Sequence, residues 1–230
     1  MPTPAETEAL LLSLRVAVWS VLGSLPLAIA IAWLLARTRF PGHALLNGIL
    51  HIPLVVPPVV IGYLLLVFLG RRGPGGMFLE NVFGITLGFT WQGAAIASAI
   101  VAFPLMLRAI RQSIEGVDRR LEQAARTLGA SPANAFCTVT LPLIAPGVFA
   151  GMVLSFARSL GEFGATITFV SSIPGETRTL PLALYAAAQV PGGEAQATRL
   201  VVISITLAMI ALIGSEWLAR RTRHYSSGEP

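Results

Sequence analysis

The chain contains no lysine: all 16 of its basic residues are arginine, set against 11 acidic ones, and charged residues make up only 12% of the sequence. Soluble domains carry about twice that share, roughly 25%. Scarce charge, 54% hydrophobic residues and a mean hydropathy of +0.74 point instead to an integral membrane protein with one membrane domain. The single cysteine, Cys137, excludes an internal disulfide framework. His43, His51 and His224 stand apart without metal-ligand spacing, so no metal site is expected. There is no G-x-x-x-x-G-K-[ST] loop, so this chain is not expected to bind ATP by a P-loop. No serine belongs to a visible Ser–His–Asp set, and catalysis by the chain is not expected.

The net charge of +5 does not indicate nucleic acid, because the arginines sit in loops beside apolar runs. Five runs, 10–36, 49–69, 85–107, 139–160 and 200–219, reach the ~20 residues that a helical span needs. Each must be helical in lipid, where backbone polar groups find no water. A sixth, short or re-entrant segment within 163–190 also fits. Glu6 and Glu8 stand where a secretory leader would be positive, so the first apolar run is expected to be retained. With five spans, three regions share one side: 37–48 with Arg37 and Arg39, 108–138 with five arginines, and the 220–230 tail with Arg220, Arg221 and Arg223. They hold most of the arginine, which places them in the cytoplasm and residues 1–8 outside. Arg71 and Arg72 fall on the outer side against this trend.

Pro26, Pro57, Pro58 and Pro104 lie in or near span interiors, where each favours a kink or break. Gly147 with Gly151, and Ala28 with Ala32, form small-xxx-small pairs that let helices approach closely.

The 115–138 loop reads as two short helices around a turn. Asp118 is a plausible N-cap. Leu121, Ala124, Ala125 and Leu128 fall on one face. Arg119, Glu122 and Arg126 take the remaining surface, with Glu122 and Arg126 four apart. Gly129 stands where a helix ends in the left-handed conformation. Ser131 can cap a second helix that has Pro132 at its first position. On spacing alone, docking of a partner protein and lying in the lipid interface fit this helix equally well.

The residues Glu122, Ala124, Ala125, Gly129 and, further on, Leu141-Pro142 resemble the E-A-A, three residues, G, later L-P pattern of ATP-binding-cassette importer permeases. Here the acid is one place early, in "EQAARTLG". The segment "FARSLGEFGATITFVSSIPGETRTLP" and much of the N-terminal half are similar to molybdate importer permeases, with a looser likeness to sulfate permeases. The resemblance implies an all-α permease domain over 9–219, working as a homodimer with two ATPase subunits that hold ATP and Mg. The loop between spans 3 and 4 would be the coupling helix that docks on the ATPase. A periplasmic or lipid-anchored binding protein would deliver molybdate, tungstate or sulfate to the cytoplasmic (inner) membrane.

Arg158 and Glu162, four apart near the end of the fourth run, are either a structural ion pair or a group lining the path, since charge in lipid is costly. Gly161 and Gly164 with Ala165, Thr166, Ile167 and Thr168 are expected to allow irregular backbone in an outer gate region; by resemblance the 173–199 segment belongs to the outer gate and to the surface that meets the binding protein. The 173–199 segment is polar at both ends around a short apolar helix. A membrane enzyme or scaffold with an interfacial helix, and a proton-driven carrier, are the alternatives from other classes. The second is disfavoured by the scarcity of charge within the spans.

Overall fold

A computed structural model describes residues 3–226, with side chains described through 214 except Leu212. The tail arginines and His224 therefore lie outside the described side chains, and 227–230 outside the described residues. The chain is helical, with no strand among the described residues: α1 (Pro4–Arg37), α2 (His43–Val55), α3 (Pro58–Leu69), α4 (Pro74–Phe83), α5 (Trp91–Gly116), α6 (Arg119–Thr127), α7 (Pro132–Ala135), a π turn (Phe136–Thr140), α8 (Leu141–Leu160), α9 (Gly164–Val170), α10 (Leu180–Ala188) and α11 (Glu194–Ser226).

Among the described residues four helices are long and apolar enough to cross a membrane: α1, α5, the continuous α7–π–α8 helix, and α11. The expected second run is present but broken, because α2 and α3 meet at 111°. The third span starts at Trp91 and runs to Gly116, later and longer than its apolar run, since Thr90 caps it and Gly93 N–H bonds the Thr90 hydroxyl. α1 starts early, at Pro4, because Thr3 and Glu6 form a reciprocal capping box. The prolines divide into two kinds. Pro26 and Pro104 stay inside unbroken α1 and α5, while Pro57-Pro58 makes the α2–α3 break.

α1, α5 and α8 pack on one another as the central bundle. At the end near α6 the core is Val21, Ala28, Ala32, Leu35, Met106, Leu107, Ile110, Ile114 and Ile144. At the opposite end α3 and α9 join α1 and α5 around Val16, Ile61, Val101 and Phe169. α10 lies between α1 and α11. Ala28 and Ala32 are fully buried, as close packing requires. Along α8, Gly147 faces Ser113 and Gly151 faces the Met106 carbonyl, so a side chain at either would push α8 off α5. Gly147→Val is expected to cost about 1–3 kcal/mol by overpacking. Thermal unfolding in detergent checks this, and an unchanged melting temperature would refute the close crossing.

Candidate functional site: a helix held out at the bundle end and an ion pair at the opposite end

The 117–142 segment folds as its punctuation predicts. Asp118 caps α6, its carboxylate accepting from Arg120 N–H at 2.9 Å. Gly129 has φ 93°, and Ala130 N–H bonds the Ala125 carbonyl while Gly129 N–H bonds that of Arg126. That bond pair is a Schellman stop, which needs a left-handed residue at this position. The Ser131 hydroxyl accepts from Asn134 N–H, with Pro132 next in line. The following helix continues into α8 through the π turn. Pro142 has no N–H for the Thr138 carbonyl, and a wider turn relieves the clash its ring would make there.

α6 buries none of its residues. Of its apolar face, Leu121 and Ala124 are exposed, Ala125 is half-buried, and Leu128 at 89% is almost wholly free. Glu122 differs from the expectation. It does not share the outer surface with Arg126 but turns back toward the bundle. Its Oε1 lies 2.7 Å from Arg37 Nη2, at the end of α1, and accepts from the Thr140 hydroxyl at 2.9 Å. Arg37 Nη2 also donates to the Val117 carbonyl, and Arg119 donates to the Ala36 carbonyl. Burial explains the turn: the Arg37 side chain is 8% exposed and needs a carboxylate more than the water-facing Arg126 does. Sequence spacing could not find this pair, because Arg37 is 85 positions away. Leu141 and Pro142, at the start of α8, follow directly after Thr140.

At the far end of α8, Arg158 Nη1 and Glu162 Oε2 are 2.8 Å apart. Glu162 is buried (2%) and Arg158 partly exposed (31%). Oε2 gains charge compensation without a well-angled donor, whereas Oε1 accepts from Ala165 N–H at 2.8 Å. The carboxylate thus satisfies one of the free N–H groups that start α9. The irregular backbone after Gly161 is confined to Gly161–Phe163, where Phe163 has φ −127° and ψ −52°, and 164–170 is a regular helix. Gly164 is small for a packing reason, since a Cβ there would press on Pro58 and Val59. The Thr166 and Thr168 hydroxyls turn back onto the Phe163 and Gly164 carbonyls. Left-handed backbone occurs further on, at Ser171, with φ 62°. Between α9 and α10, Thr177 ties the loop through Ile173 N–H and the Ser171 carbonyl, two contacts that no motif in the sequence announces.

A family model for the inner membrane component of binding-protein-dependent transport systems matches residues 24–224. The chain belongs to that family. It is 62% identical over 221 residues to the Escherichia coli molybdenum transport system permease protein ModB, covering 96% of each chain. It is 36% identical over 179 residues to the E. coli sulfate transport system permease protein CysT, covering 76% of this chain and 64% of that one. Its fold is that of a subunit of a bacterial alginate ABC transporter solved with an alginate-bound periplasmic protein, at a TM-score of 0.74 and 16% identity, covering 95% of this chain and 80% of that one. The all-α membrane architecture expected from the apolar runs is therefore the fold of ABC importer permeases.

If the Arg158–Glu162 pair is structural, removing both charges should do less harm than removing one. Arg158→Gln alone leaves a buried carboxylate uncompensated, a loss of about 1–3 kcal/mol once partial exposure is allowed for. The double variant Arg158→Gln, Glu162→Gln should recover folded, monodisperse protein in size-exclusion yield. A double variant that is worse than Arg158→Gln would contradict this.

Proposed function

We propose that this chain is the permease subunit of an ATP-driven importer that passes molybdate, with tungstate as a second substrate, across the inner membrane. The observation that carries the substrate is the 62% identity over nearly the whole of both chains with the molybdenum permease, against 36% with the sulfate one. Sulfate, also a tetrahedral dianion, is the second reading.

In this reading two copies of the chain form the pore and bind two separate ATPase subunits, which carry ATP and Mg. α6 is the coupling helix. Its open face of Leu121, Ala124, Ala125 and Leu128 supports docking on a partner, because a groove can approach the backbone closely at the two alanines. When the ATPase pair closes on ATP, α6 moves, and α5 and α8, joined to it by short connections, carry the motion into the bundle. A periplasmic or lipid-anchored binding protein delivers the oxyanion at the opposite end. The N-terminus is then outside and the C-terminus cytoplasmic. Gly161, Gly164, Thr166 and Thr168 belong to the outer gate, and Arg158 offers transient attraction to the anion. A strong cationic site would hold a dianion rather than pass it, so an arginine already paired with Glu162 suits conduction. Uptake by the double variant equal to that of the unaltered protein would remove Arg158 from the path.

The test is uptake of labelled molybdate and sulfate into vesicles containing the chain, the ATPase and the binding protein. ATP-dependent molybdate uptake, outcompeted by tungstate and only weakly by sulfate, is expected. Equal use of sulfate would favour the second reading, and uptake without ATP would overturn both. Gly129→Val should lower molybdate imported per ATP hydrolysed, because a β-branched residue is disfavoured by ~1–2 kcal/mol or more in left-handed backbone. An unchanged ratio would show that the turn is not needed for coupling.

A further inference from the structure

The geometry points to Arg37 as a positioning residue that makes α6 rigid with the bundle, so that motion imposed on α6 reaches α1 and α8 instead of being absorbed in its linkers. This rests on the reading of α6 as the coupling helix and goes beyond it. Docking concerns the outer face of α6, whereas this link is on its inner face.

α6 has no buried side chain, so packing does not fasten it. It is joined to α5 through Val117-Asp118 and to α7 through Leu128–Ser131, and a helix on two short linkers can swing. Polar contacts on its inner face prevent that. Glu122 Oε1 is shared by Arg37 of α1 and Thr140 of the π turn, at 2.7 and 2.9 Å. One carboxylate oxygen therefore binds three elements at a single point. Arg37 reaches a fourth, the Val117 carbonyl in the α5–α6 connection, at 3.3 Å. Arg119 adds a bond to the Ala36 carbonyl beside it. Arg37 Nε is buried with no partner of its own, so the side chain is held by its outer nitrogens and by the Glu122 charge.

The placement of Thr140 gives the link its mechanical sense. The residue is fully buried and ends the π turn immediately before α8. π turns are common at functional sites because one added residue shifts the register of the side chains beyond it. Here the shifted turn is the place where the coupling helix is fastened to the span that ends at Arg158 and Glu162. The displaced acid of "EQAA" then has its own role, since Gln123 is exposed on α6 while Glu122 faces inward and ties the helix down.

The experiment uses the complete complex with its ATPase, reconstituted with binding protein, and three variants: Arg37→Met, Glu122→Gln and the pair together. Co-purification of the ATPase with the unaltered chain is the control for the coupling-helix reading, and its failure would defeat that reading irrespective of the link. With the complex intact, Arg37→Met should lower molybdate imported per ATP hydrolysed by about tenfold. Glu122→Gln should do so comparably, and the pair should be no worse than either alone, because both remove one link. Arg37→Lys, which keeps the charge, should restore part of the ratio. A spin-label distance between Gln123 and Thr38 should broaden in Arg37→Met, a readout that simple loss of stability in the folded fraction would not produce. An unchanged transport ratio in Arg37→Met, additive losses in the pair, or loss of ATPase binding instead of loss of coupling would each overturn the proposal.

Discussion

The need of every backbone N–H and C=O for a partner within the protein governs this structure, because lipid supplies none. Unbroken helix meets that need for α1, α5 and α8. The informative places are where helix stops inside the bundle. At the α2–α3 break the chain turns through 111°, yet few donors are stranded. Pro57 and Pro58 have no N–H to satisfy, Val56 N–H still reaches the Ile52 carbonyl, and Val60 N–H reaches that of Pro57. At the α8–α9 break no prolines help, and the Glu162 carboxylate supplies the acceptor instead. A charge is then needed in the bundle to keep the backbone satisfied, and Arg158 is needed to keep that charge. The ion pair thus follows from the backbone requirement before any role in transport is considered.

The same requirement explains which features are legible in the sequence. Helix ends with local chemistry are readable: Asp118, Gly129, Ser131 and Pro132 all act where their spacing places them, because capping involves residues only a few positions apart. The long apolar runs are readable for the same reason. Boundaries set by capping residues, Thr3 before the first run and Thr90 inside the third, move the ends of α1 and α5. The two kinds of proline cannot be separated, since a lone proline in a bundled helix and a proline pair look alike in hydropathy and differ only in how many carbonyls neighbours must satisfy. The run after Gly161 is legible only at its first residues, Gly161–Phe163, because glycine has two uses. Its composition suggests freedom of backbone, whereas Gly164 serves close approach to α3 in a regular helix.

Glu122 shows the limit of local reading most clearly. An acid four residues before an arginine on a surface helix reads as a pair, and the energy at stake there is only about 0.2–0.5 kcal/mol. The competing partner, Arg37, is nearly buried, so leaving it unpaired would cost several-fold more. The stronger demand wins, although it comes from 85 residues away. Periodicity ranks contacts by distance along the helix. The folded chain ranks them by the cost of leaving each group unsatisfied.

That ranking also separates the two ends of the molecule. At the α6 end, Leu121 and Leu128 are left open, while Glu122 is held internally by Arg37 Nη2 and the Thr140 hydroxyl. The exposed Leu121 and Leu128 stand beside a polar surface of Arg119, Arg120, Gln123 and Arg126. At the opposite end Arg158 is paired with Glu162, and the threonine hydroxyls of α9 are bonded to their own helix. Arg158 and the α9 threonines are thus already engaged within the protein and are not free to hold an anion tightly. Both ends obey one rule: a charge brought into the bundle is matched by a charge or a backbone donor before anything outside the chain is called on.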